Sequence, residues 1–99
     1  PKPHQEAIKS YAKAVELNPQ YPIAHHNWGL ALLRMKQPAQ ALEHFRIAAG
    51  QSNEPETIYL MGIAFQDAGK ADKAVLCFKK VLEICPTHAE SQARLKAIH

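Results

Sequence analysis

Trp28-Gly29-Leu30-Ala31-Leu32 and Met61-Gly62-Ile63-Ala64-Phe65 are one pattern written twice, 33 residues apart. Working outward, Ala41-Leu42-x-x-Phe45 matches Ala74-Val75-x-x-Phe78 at the same shift, and Ala7-Ile8-x-x-Tyr11 precedes the first of these by 34. Pro19 recurs as Pro86, 67 residues on, which is one interval of 34 and one of 33. The middle copy has therefore lost one residue, and its proline, between Gly50 and Glu54. A fixed period of this length is the mark of a supersecondary unit stacked on copies of itself.

Each unit contains two helical patterns. From Pro22 to about Lys36 the residues Ala24, Trp28, Ala31, Leu32 and Met35 recur at three- and four-residue spacing, with Pro22 in the first turn, where a helix tolerates it. From Pro38 to Ala49 the residues Ala41, Leu42, Phe45 and Ala48 do the same, and Gly50 is the expected carboxyl-end cap. The next unit repeats the scheme with Ile58, Met61, Gly62 and Phe65, a turn at Ala68-Gly69-Lys70, then Ala74, Val75, Phe78, Val81 and Leu82. One helix lies on either side, over His4 to Leu17 and Thr87 to about Ile98.

Gly29 and Gly62 fall near the middle of a helix, where glycine costs roughly 1 kcal/mol relative to alanine. A close helix crossing offsets that cost. Ala7, Ala41 and Ala74 supply the small residue on the facing helix, and Tyr11, Phe45 and Phe78 fill the space beside it.

Glycine, then Leu32 or Phe65 three residues on, then Ala-x-x-x-Phe, then the closing proline: this combination closely resembles the tetratricopeptide repeat across essentially the whole chain. The resemblance implies an all-α, right-handed superhelical solenoid of antiparallel helix pairs, about six helices in a single domain. Residues 1–21 would hold the second helix of a truncated repeat, 22–54 and 55–88 two repeats, and 89–99 a closing helix. His25 and Ile58 stand where the family has an aromatic, Trp28 and Met61 where it has leucine, and Lys96 where glycine would fall.

Bulk properties exclude several functions. The chain has 99 residues, 46% hydrophobic, with net charge +3 and pI near 9.0. No apolar run approaches the roughly 20 residues that span a bilayer, so no membrane insertion is expected. Lys and Arg are spread along the chain with no basic cluster interleaved with aromatics, which speaks against nucleic acid. The chain opens at Pro1 without an initiating Met and reads as an excised piece. Cys77 and Cys85 are eight residues apart, too far along one helix to bridge, and read as free thiols of a reducing, cytoplasmic compartment.

Six histidines and two cysteines show no Cys-x-x-Cys or His-x-x-x-His spacing, so no metal is expected. His44 and Cys77 hold equivalent places in successive units and could approach each other on the stack. A phosphate-binding glycine loop, a Gly-x-Ser-x-Gly elbow and a His-Glu-x-x-His helix are all missing, so neither catalysis nor a cofactor is expected.

What remains is a binding surface, and the resemblance implies its place: the first helices of successive repeats line a concave face. Carried onto that face are Ile23, His26, Asn27, Leu30 and Arg34 from one repeat, and Glu56, Tyr59, Ile63, Gln66 and Asp67 from the next. Arg94, with Glu90, Ala93 and Ala97, extends it on the closing helix. Leu30, Tyr59 and Ile63 read as an apolar strip that the core does not need, since Trp28, Leu32, Met61 and Phe65 supply it. Some family members clamp the acidic tail of heat-shock chaperones there with Lys, Asn, Asn, Lys and Arg. This sequence offers His26, Leu30, Leu60, Glu90 and Arg94, of which only the last is kept. The asparagine ladder of the glycosyltransferase-linked members is also broken, since Asn27 is followed by Leu60 and Arg94.

The expected function is a non-catalytic interaction scaffold that holds a peptide or helix of a partner protein in this groove. Two alternatives stand beside it. The opening helix, lacking its own partner, exposes Ile8, Val15 and Leu17 for a homo-oligomer through terminal helices, or the chain is a regulatory segment of a larger protein such as a glycosyltransferase.

Overall fold

A computed structural model describes residues 3–98. These form six α-helices: α1 (Pro3–Leu17), α2 (Pro22–Arg34), α3 (Pro38–Gln51), α4 (Pro55–Asp67), α5 (Ala71–Ile84) and α6 (Ala89–Ile98). Each helix packs on the next in chain order, and α2 also touches α4, which places the first helices of adjacent units side by side. The described chain measures 39 × 25 × 19 Å.

Proline at the first helical position opens α2, α3 and α4, where the missing N–H costs no helical hydrogen bond. The turns that follow α2 and α4 share one construction. After α2, the Lys36 N–H reaches Leu33 O and the Gln37 N–H reaches Leu32 O; after α4, Gly69 reaches Gln66 O and Lys70 reaches Phe65 O. Both are Schellman caps, which require a left-handed residue just past the helix end. Gly69 meets the requirement at φ 79°, whereas Lys36 carries a side chain at φ 63°. Because the left-handed conformation costs a non-glycine residue roughly 1–2 kcal/mol, Lys36→Gly is expected to stabilise the domain by about 1 kcal/mol or less, once the entropy of glycine is subtracted. Gly69→Ala should destabilise it by a comparable amount. Chemical denaturation reads both, and equal midpoints for the two variants and wild type would contradict this account of the turns.

Gly50 does not cap α3. The helix runs through it to Gln51 and leaves at Ser52 in extended conformation (φ −154°, ψ 123°). Nothing near Gly50 forces an earlier stop, since its backbone is not left-handed and a Cβ there would meet nothing.

The core follows the glycine crossings. Phe45 and Phe78 are fully buried, beside the fully buried Ala41 and Ala74. A Cβ at Gly29 would lie 2.6 Å from the Phe45 ring, and one at Gly62 would lie 2.5 Å from the Phe78 ring. The glycines therefore make room for the phenylalanines. Leu32 and Phe65 are buried as expected, while Trp28 and Met61 are half-buried against the core. The opening helix is less bare than its sequence implied: Ile8 packs on the core and Val15 is half-buried, so only Leu17, at 83% exposure, stands out.

Candidate functional site

Two depressions mark the face formed by α2, α4 and α6. The larger, about 480 Å³, lies where the amino ends of α2 and α4 meet the carboxyl end of α3. Tyr21, Pro22, Ile23, Ala48 and Thr57 supply its mostly apolar lining, and Ser52, Glu54, Glu56 and His26 its polar groups. The smaller, about 360 Å³, lies between α4 and α6 and is lined by Tyr59, Gln66, Glu90, Ala93, Arg94 and Ala97.

His26 and Thr57 form the floor of the larger depression, joined by a 2.7 Å hydrogen bond between His26 Nδ1 and Thr57 Oγ1. Burial lowers the His26 pKa below 6.5, with Glu56 and Glu54 opposing the shift. Neutral at physiological pH, His26 adds no cation to the cavity. Ile23 stands at the mouth with 61% of its surface exposed.

Of the residues expected on the concave face, the larger depression gathers Ile23, His26 and Glu56, and the smaller gathers Tyr59, Gln66, Glu90, Ala93, Arg94 and Ala97. Arg94 is tethered, its guanidinium donating to Gln66 Oε1 at 3.0 Å. Arg34 and Asp67 are exposed and Asn27 is half-buried, but none of them lines either depression. The exposed apolar strip is a correction. Tyr59 is only 6% exposed, wedged between Phe78 (ring centroids 5.8 Å apart) and His88 (5.0 Å), and Leu30 and Ile63 are half-buried against the core. These side chains are needed for packing after all: Phe78 of α5 and His88 before α6 cover Tyr59, and Leu30 and Ile63 pack on the buried core.

Sequence reasoning missed Tyr21, Pro22, Ala48, Ser52, Glu54 and Thr57 of the larger depression. Thr57 carried a readable signal, since it takes the place held by Ala24 in the preceding unit, where a hydroxyl has no packing use.

His25 and His26 face different ways, as adjacent helical residues must. His25, 3% exposed, donates through Nε2 to the Pro19 carbonyl at 2.6 Å, so its Nδ1 is free to meet His44 Nδ1 at 3.1 Å. His44 stacks on Trp28 with centroids 4.0 Å apart. It is thus turned into α2, and the approach to Cys77 considered from the sequence is not how it is used. At His44 burial, and secondarily the His25 charge, lower the pKa, with Glu43 opposing. Two protonated rings would point N–H groups at each other across this contact. The Cys77 thiol is pushed up by burial, which favours the unreactive protonated form.

These shifts give stability a direction in pH. Below pH 6.5 the unfolded chain takes up protons at His26 and His44 that the folded chain resists, so stability falls as the pH drops through that window, and these two groups add no slope above it. Melting temperature is expected to decline between about pH 6.5 and pH 5, and His44→Gln should flatten the slope. A profile unchanged by that substitution would remove His44 as a source.

Among the described residues no group of three or more His, Cys, Asp or Glu side chains is placed to hold a metal ion, and no helix is long and apolar enough to cross a membrane.

Comparison with known proteins agrees with this geometry. A family model described as TPR repeat matches residues 4–36, across α1 and α2, and one described as Tetratricopeptide repeat matches 55–88, across α4 and α5. The chain is similar to serine/threonine-protein phosphatase T of Trypanosoma brucei brucei, 32% identical over 91 residues, covering 91% of this chain and 19% of that protein. It is also similar to BBSome complex member BBS4 of Bos taurus, 30% identical over 87 residues, covering 88% and 17%. The chain thus spans less than a fifth of the length of these curated relatives. Among solved structures, the first TPR of Spaghetti (RPAP3), bound to the HSP90 peptide SRMEEVD, superposes with a TM-score of 0.92 at 26% identity, over 96% of this chain and 76% of that one. Glycine–phenylalanine crossings at a 33-residue period, two matching repeats and this superposition make the assignment: the chain belongs to the tetratricopeptide-repeat family, an all-α solenoid of stacked helix pairs suited to protein–protein interaction.

Proposed function

We propose that this chain is a non-catalytic interaction scaffold that holds a peptide or helix of a partner protein against the face of α2 and α4. The observation that carries this reading is the 480 Å³ depression, apolar inside and fringed by polar groups, with Ile23 projecting at its mouth. Cavities of this size and lining are where proteins take apolar side chains of ligands. The peptide held by the RPAP3 repeat supports the choice of a peptide as occupant of such a fold. The unmatched remainder of the curated relatives leaves room for the chain to serve as one segment of a larger protein, presenting partners to parts outside it.

The test is photocrosslinking. A benzophenone side chain at position 23 should yield a light-dependent adduct with the partner in extracts of the source cells, whereas the same group at Leu76, exposed on α5, should not. Adducts formed from position 76 and not from 23 would move the binding surface to the outer helices and end this reading.

A further inference from the structure

The charge around the larger depression has the wrong sign for the chain that builds it. The chain carries a net +3, yet Glu54 and Glu56 are the charged residues of the lining and no Lys or Arg is among them. Both carboxylates are exposed. The ion-pair partner of Glu56 among the described residues is His88, whose Nε2 lies 3.9 Å away and whose Nδ1 accepts the Ser91 N–H at 3.2 Å as the amino-end cap of α6. At 3.9 Å the contact is too long for a hydrogen bond, and the Glu56 carboxylate stays exposed.

Helix ends modify this field without reversing it. The amino ends of α2 and α4 each bring roughly half a positive charge, and the carboxyl end of α3, through Ala48 and Ser52, brings roughly half a negative one. Two full carboxylate charges outweigh the difference. The floor adds no cation to offset them, because burial keeps His26 uncharged and its Nδ1 is hydrogen-bonded to Thr57.

Resting on the groove-binding reading above, we infer that the occupant of this depression is a peptide segment carrying a bulky apolar side chain next to Lys or Arg. The apolar side chain enters among Tyr21, Ile23, Ala48 and Thr57, and the cation meets Glu54 and Glu56 at the rim. An acidic peptide would face both carboxylates with no cation to receive it. Exposed ion pairs add little each, so the apolar side chain supplies most of the affinity and the glutamates select the sign of its neighbour.

The experiment is selection of a random twelve-residue peptide display library on the wild-type chain, with Ile23→Asp as the discriminating variant. Enriched peptides should pair a large apolar residue with Lys or Arg and lose binding to Ile23→Asp. The double variant Glu54→Gln, Glu56→Gln, checked for folding by circular dichroism, should bind them about five- to tenfold more weakly at low salt. Ile23-dependent peptides that are acidic or uncharged would overturn the charge inference and leave the groove reading standing. Absence of any Ile23-dependent peptide would overturn both. A dimer found by light scattering and dissociated by Ile23→Asp would assign the depression to a second copy of the chain, and would also overturn the inference.

Discussion

Phe78→Ala is expected to cost about 3–5 kcal/mol, a large share of the roughly 5–15 kcal/mol that holds a domain of this size together. Phe78 is fully buried, and its ring occupies the space that a side chain at Gly62 would need. Removing the ring leaves a cavity between α4 and α5 that neither backbone can close without losing the crossing. Gly62→Ala probes the same contact from the other side. Its gain in helix propensity is about 1 kcal/mol, but a Cβ placed 2.5 Å from a ring with no room to move overpacks the site, at about 1–3 kcal/mol. The net effect should be destabilising. The double variant is the sharper test, since the new methyl group enters the space the ring has left and the combined loss falls below the sum of the single losses. Urea denaturation measures all three, and simple additivity would contradict the crossing as described.

Tyr59→Ala should be the second large loss, about 3 kcal/mol. At 6% exposure, packed on Phe78 and His88, Tyr59 holds α4 to α5 and to the turn before α6. Ile23→Asp, at the open mouth of the depression, should change stability by no more than about 0.5 kcal/mol, as exposed substitutions do. A Tyr59→Ala variant that melts with wild type would return this residue to the binding face and withdraw its role in packing.

The contrast between these two residues shows what could be read from the chain and what could not. Gly29, Phe45, Gly62 and Phe78 announced the helix crossings because a repeat writes its packing twice, and the second copy confirms the first. Ile23 and His26 were placed on the groove face by the resemblance to the repeat family, which implies which helices line it. Tyr59 sits at an equally regular place on α4, but its burial is decided by Phe78 and His88, which lie 19 and 29 residues further on and cover it only when the stack forms. The His26–Thr57 bond joins residues 31 apart on two helices, and no periodicity within either helix predicts it. Gly50 misled in the other direction. A glycine at the expected end of a helix implies a cap only where the backbone turns left-handed, as it does at Gly69 and, at Lys36, without a glycine to mark it.

That the groove face is where a partner binds is tested most directly by amide shift mapping with a peptide from the display selection. Titration into the isotopically labelled chain should move the signals of Ile23, His26, Glu56 and Thr57, around the larger depression, and leave Leu76, Lys79 and Lys80 on α5 in place. Shifts concentrated on α5, with the α2 and α4 signals unmoved, would contradict the account.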